Sequence, residues 1–195
     1  MSTDAIAMLK QDHKEVQALF RQFQNAGDGA TKKRTDLVKK IIELLTVHTY
    51  IENEGMYPRV RELLPDVEDD ILESYEEHHV ADVLCAELWS MDAEDERFVA
   101  KTTVLIENVQ HHIEEEESEW FPKVRAGLGR KQLQDMGAEL LRLKEKAPHT
   151  PTQPSAVTKS LAAPVTASRF GLDAQLARAS GTTQHADSAA MRRVT

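Results

Sequence analysis

This 195-residue chain has one cysteine, Cys85, so an intrachain disulfide framework is excluded and a reducing compartment is expected. Aromatic residues make up only 5% of it, which leaves an aliphatic core as the way to fold. No run approaches the ~18 uninterrupted apolar residues of a membrane span. The opening "MSTDAIAMLK" lacks the basic and apolar regions of a secretory signal, and a cytoplasmic location without membrane attachment is expected. Basic residues are also short, 24 against 33 acidic, for a net charge of −9. Nucleic acid is not an expected partner, because binding it depends on a basic face.

What is present is helical periodicity. Residues 1–146 place apolar side chains at three- and four-residue steps, predicting helices near 3–24, 31–56, 66–91 and 98–118 and a shorter fifth over "KQLQDMGAELLRLKEKA". From 147 to 195 the text turns rich in Pro, Ala, Ser and Thr, which predicts a disordered tail with one short helix around "LDAQLARAS". Five basic residues against two acidic ones give that tail +3 and leave −12 on the rest. Such a tail is a tether or the docking segment for a protein partner. The expected fold is all-α, an antiparallel up-down four-helix bundle.

Each long stripe is interrupted by a histidine. His13 falls among Leu9, Val16, Phe20 and Phe23; His48 and Glu52 follow Ile41 and Leu45; His78 lies between Tyr75 and Ala81; His112 and Glu116 follow Leu105 and Val109. The chain also repeats itself. "HTYIENEGMYPRVRELL" from His48 and "HIEEEESEWFPKVRAGL" from His112 both read His-x3-Glu-x4-(Tyr or Phe)-Pro. Asp12-His13 matches Glu77-His78 in the same way, so a helix hairpin is written twice. Register selects His112 over His111, Glu116 over its neighbours and His78 over His79. Glu114, Glu115, Glu117 and Glu119 are left as a solvated face.

A histidine and a glutamate four apart stand one turn apart on one helix face. Packing the hairpins together would converge His13, His48, Glu52, His78, His112 and Glu116, more ligands than one tetrahedral zinc accepts. They suit two metal ions bridged by two carboxylates, and this donor set favours iron or manganese, with zinc behind. Tyr75, three before His78, is a candidate pocket residue.

These motifs, His13, "HTYIE" with "YP", "EEHH" and "HHIEEEE" with "FP", resemble the hemerythrin-like, or HHE cation-binding, family, in particular its bacterial and actinobacterial members. The resemblance implies a bundle around two iron ions joined by an oxo or hydroxo bridge. It also implies dioxygen or hydrogen peroxide as the small partner, with peroxide-consuming activity, or alternatively a sensor or iron-binding module acting through the tail. No catalytic residue is singled out. The oxygen carriers of that family have His-x3-His on the third helix, whereas Asp82 stands four after His78 here. Asp82 is an extra ligand, an imidazole partner or neither. The symmetric four-histidine pattern argues against reversible oxygen carriage.

Overall fold

The structure is a computed structural model that describes residues 4–27 and 29–151; the tail expectations beyond Pro151 lie outside them. Four long helices form the bundle: α1 (Ala5–Gln24), α2 (Thr31–Ile51), α4 (Glu68–Ser90) and α5 (Phe98–Glu115). α1 packs on α2, α4 on α5, α2 on α4 and α1 on α5, so the two hairpins close a ring. Two short helices, α3 (Tyr57–Leu63) and α6 (Phe121–Gly127), continue the first and second hairpin respectively, and α7 (Arg130–Lys144) is the expected fifth. No described helix is long and apolar enough to cross a membrane.

The local chemistry sets the ends. Asp4 caps α1 by accepting from the Ala7 amide at 3.0 Å, and Arg125 holds the same carboxylate at 2.9 Å. Glu68, Asp69 and Asp70 open α4, where carboxylates complement the positive end of the helix dipole.

The helices that periodicity runs unbroken to residues 56 and 118 are interrupted. Five-residue π-helical turns occupy Glu52–Met56 and Glu116–Trp120, one in each repeat. The Tyr57 amide donates to the Glu52 carbonyl, and the Phe121 amide to that of Glu116. Pro58 and Pro122 come next, and a proline cannot donate to the carbonyl one turn back. The wider turn absorbs that defect and changes the direction in which α3 and α6 leave.

Two apolar clusters fill the bundle. One gathers Ile6, Leu9, Met56, Tyr57, Trp120 and Phe121 beneath α7, and the other Phe20, Ile41, Leu45, Leu105 and Ile106. Between them lies a layer of buried histidine and glutamate. Truncating a core leucine in either cluster would cost about 2–5 kcal/mol.

Candidate metal centre

Each bundle helix delivers one imidazole to this layer. His13, His48, His78 and His112 are buried, and Glu52 and Glu116 are both 0% exposed. His13 Nε2 meets His48 Nε2 at 3.2 Å, and His78 Nε2 meets His112 Nε2 at 3.0 Å. The carboxylates join the hairpins. Glu52 Oε2 stands 3.0 Å from His48 Nε2 and 3.4 Å from His78 Nε2. Glu116 Oε2 stands 3.6 Å from His112 Nε2 and 3.2 Å from His13 Nε2. The six residues singled out by register therefore come together.

The opposite ring nitrogens are held from behind. Glu117 Oε1 lies 2.9 Å from His13 Nδ1, Glu77 Oε2 2.7 Å from His112 Nδ1, and Asn53 Oδ1 2.8 Å from His78 Nδ1. Asp12 Oδ2 approaches His48 Nδ1 at 3.8 Å, a distance for charge attraction but not for a hydrogen bond. Burial pushes the Glu77 and Glu117 carboxyls up, but His112 for the first, and His13 with Lys10 for the second, outweigh it, and both groups titrate below the ordinary range. An ionised carboxylate only accepts, so Nδ1 of these histidines carries the proton and Nε2 points bare into the centre.

Glu117 departs from the solvated face that periodicity assigns it: it is half-buried and engaged with His13. Register alone does not single out Asp12, Glu77, Asn53 and Glu117 as imidazole partners. A signal for them exists, since each adjoins a repeated ligand: Asp12-His13 matches Glu77-His78, and Glu52-Asn53 matches Glu116-Glu117.

A tyrosine also reaches the centre, and it is Tyr57. Its hydroxyl donates to Glu116 Oε1 at 2.9 Å and lies 3.3 Å from His78 Nε2. Burial first, then Glu116 and Glu52, hold its pKa well above the ordinary value, so it stays a donor. Tyr75 instead packs edge-on against Tyr57 and donates to the Asn53 carbonyl at 3.3 Å. Asp82 accepts from Thr49 Oγ1 at 3.4 Å. Tyr75 thus touches the layer through Tyr57 and Asn53, and Asp82 through Thr49, which lines the cavity beside the imidazoles.

Does this layer fit a metal? Two bare imidazole nitrogens cannot face each other at about 3 Å without a cation or proton between their lone pairs. Glu52 Oε1 and Glu116 Oε2 are buried without a hydrogen-bond partner, and leaving a buried carboxylate oxygen so costs several kcal/mol. In the metal-free protein a proton is the only remedy. Burial lowers the His48 pKa, yet Glu52, Asp12 and Glu116 together raise it to about 10. Burial and the neighbouring His112 push His78 down, while Glu116 and Glu77 overcome burial to push His112 up. One group, His13, His48, Glu52 and Glu116, and a second, Glu52, His78 and His112, each bring ligand atoms within 4.8 Å of one another. The residues fit two cations sharing Glu52.

A small cavity adjoins the imidazoles, its apolar walls formed by Val16, Leu45, Ala81, Val109 and Ile113. The centres of water-sized molecules have about 10 Å³ within it, room for one small molecule. Asn108 contributes the side-chain oxygen Oδ1, buried without a partner.

Comparison with known proteins agrees. The hemerythrin HHE cation-binding domain model matches residues 4–124. A DNA nickase of Nostoc sp. is 28% identical over 139 residues, 71% of this chain, which spans only 38% of that protein's length. An uncharacterized hemerythrin-like protein of Schizosaccharomyces pombe is 26% identical over 149 residues, covering 76% of this chain and 72% of that one. The crystal structure of a hemerythrin HHE cation-binding domain-containing protein from Mycobacterium kansasii superposes with a TM-score of 0.62 at 18% identity, over 80% of this chain and 98% of that one. With its buried histidine and glutamate layer, the chain is a metal-binding module and belongs to the hemerythrin HHE cation-binding domain family.

Proposed function

We propose that the layer holds two iron ions, with His13, His48, His78 and His112 as nitrogen ligands and Glu52 and Glu116 as shared carboxylates, and that the centre consumes hydrogen peroxide. The observation that carries this reading is the pair of facing Nε2 contacts beside two buried carboxylate oxygens that have no hydrogen bond. Bound iron would supply a two-electron redox capacity matched to peroxide. The chain's own residues do the rest. Glu77, Glu117 and Asn53 fix the imidazole orientations, and Tyr57 keeps one oxygen of Glu116 in place. The small cavity beside the imidazoles has room for about one water-sized molecule, and the buried Asn108 Oδ1 offers it a hydrogen-bond acceptor. Converting two peroxides to dioxygen and two waters balances without an external reductant.

The test is to load the metal-free protein with iron anaerobically and measure metal content, the near-ultraviolet and visible spectrum, and oxygen released on adding peroxide. Two irons per chain, a spectrum that responds to peroxide and slow oxygen release are expected. A stable reversible oxygen adduct with no response to peroxide would restore the carrier reading, and a colourless zinc protein would remove redox chemistry altogether. Because the imidazoles must be neutral to bind, protons compete with the metal, and iron and activity should be lost together as pH falls.

A further inference from the structure

The second hairpin writes His-x3-Glu twice, one residue out of step. His112 and Glu116 face the core, while His111 and Glu115 lie on the adjoining outer face. His111 Nε2 and Glu115 Oε1 stand 3.2 Å apart. Glu77 stands between the two layers: Oε2 takes His112 Nδ1 at 2.7 Å, and Oε1 turns toward His111 Nε2 at 3.9 Å. One ligand atom from each of Glu77, His111 and Glu115 lies within 4.8 Å of the other two. Two ligands of one first-row ion, each about 2.1 Å away, are roughly 3–3.5 Å apart. The His111–Glu115 pair already meets that spacing, and Glu77 Oε1, at 3.9 Å from His111 Nε2, comes within a few tenths of an ångström of it on the imidazole side.

The first hairpin shows what belongs there. Asp12 is the repeat counterpart of Glu77, and the Lys144 ammonium grips it at 2.6 and 2.7 Å. A fixed cation therefore completes the outer side of Asp12. Glu77 has an imidazole and a second carboxylate at the matching place. The side chains of His111, Glu115 and Glu77 are 64%, 32% and 14% exposed, a gradient from solvent inward. Glu73 and Glu119 add negative field around Glu115.

We propose that Glu77, His111 and Glu115 form an outer site for a divalent first-row metal ion, with iron(II) as its cargo, through which the buried layer is filled. Its donors, one imidazole and two carboxylates with water free to complete the shell, give a weak, quickly exchanging site. The surrounding carboxylates concentrate cations there. Glu77 shares its carboxylate between the outer ligands and His112, so an ion held at Oε1 is one side chain from the core. The uptake role rests on the proposed di-iron core; the outer binding site does not.

The test compares the full metal-free chain, a His111→Ala/Glu115→Gln double variant and Glu116→Ala, using cobalt(II) as probe in anaerobic equilibrium dialysis. Both substitutions of the double variant are on the outer face, and circular dichroism will report an unchanged fold. The wild type should bind one weak equivalent beyond its tight ones, the double variant should lack only the weak one, and Glu116→Ala should keep it. Stopped-flow loading with iron(II) should be about tenfold slower in the double variant and reach the same final content. An unchanged cobalt count in the double variant overturns the site, and an equal loading rate overturns the uptake role. Loss of the tight equivalents from the wild type would sink the di-iron core instead, and the weak equivalent would still respond to the double substitution.

Discussion

The two hairpins are near copies at the buried layer and diverge one shell of side chains further out. Each supplies two imidazoles, one carboxylate, a π-helical turn and a proline just after it. Outside that layer α7 packs on α1, α2 and the π turn of the first hairpin. Val47 and Ile51, the counterparts of His111 and Glu115, are buried, and so is Gly55, where α7 rests on the π turn. Its counterpart Glu119 is exposed. Around the imidazoles the copies differ in charge: the neutral Asn53 and the hydroxyl of Tyr57 stand where the second half has Glu117 and Phe121. Both rings stack on a histidine, Tyr57 on His78 at 5.3 Å and Phe121 on His13 at 6.0 Å, but only the first can donate. The buried chemistry is held in common, and the surroundings of each copy are free to differ.

The largest expected effect tests the shared part. Substituting alanine for His112 or Glu116, or for their counterparts His48 or Glu52, should remove most bound metal, as read by elemental analysis of the purified protein. Losses of about tenfold or more in affinity are expected even where only an imidazole's partner is removed, as in Glu77→Ala. His111→Ala or Glu115→Ala should leave the final metal content nearly intact. Equal losses from both classes would show that register does not separate inner from outer ligands.

The next effect is a pH dependence. Asp82, whose repeat counterpart is Gln17, has its carboxyl pushed up from 3.8 to about 6, by burial against the help of Thr49. A raised carboxylate pKa means the folded state prefers the protonated form. Its contribution is intact below about pH 4 and is lost as pH rises through 6. Asp82→Asn should therefore stabilise the metal-free protein by about 2–3 kcal/mol at pH 7.5 and by little at pH 4. Urea unfolding at the two pH values checks this, and a gain that does not depend on pH would mean that folding does not shift the Asp82 carboxyl.

Much of the fold and of the ligand set is legible in the chain because the repeat and the helix period constrain each other. A histidine on an apolar stripe is ambiguous alone, but four at matched offsets are not, and they imply both the bundle and the converging ligands. The π turns are not legible. Their trace is a proline one residue after Tyr57 or Phe121, which signals a disturbed helix without saying whether it ends or widens. Glu117 escapes because helix periodicity assigns a face by angle, and a long side chain at the edge of that face reaches back to His13. Tyr57 escapes because the π turn changes its angle, so that it, and not Tyr75, reaches the carboxylates.

Making the first half resemble the second at the ring position isolates that hydroxyl. Tyr57→Phe keeps the stacking on His78 and removes the donor to Glu116 Oε1. A buried hydrogen bond to a charged group contributes about 1.5–3 kcal/mol, so metal-free stability should fall by roughly 2 kcal/mol. Phe121→Tyr should give no matching gain. If Tyr57→Phe is neutral, the hydroxyl is not holding Glu116.

The smallest effect distinguishes the covered face from the open one. At Gly55 an added Cβ would stand 2.5 Å from Leu140 Cδ2 and 2.7 Å from Leu143 Cδ1, both on α7. Two packed leucine tips must move, a cost of about 1–3 kcal/mol, partly offset by the better helix propensity of alanine, up to about 1 kcal/mol. Gly55→Ala should thus lose about 1 kcal/mol, whereas Glu119→Ala, at the same repeat position on the open half, should stay within about 0.5 kcal/mol of the wild type. Paired thermal melts of the metal-free variants decide it. Because Gly55 adjoins the turn that presents Glu52 and Asn53, the displaced α7 should also loosen Lys144 from Asp12, and Gly55→Ala should bind metal slightly more weakly while Glu119→Ala does not. Equal melts for the two variants would mean that α7 does not rest on the first π turn, and that the two halves differ less than their surroundings imply.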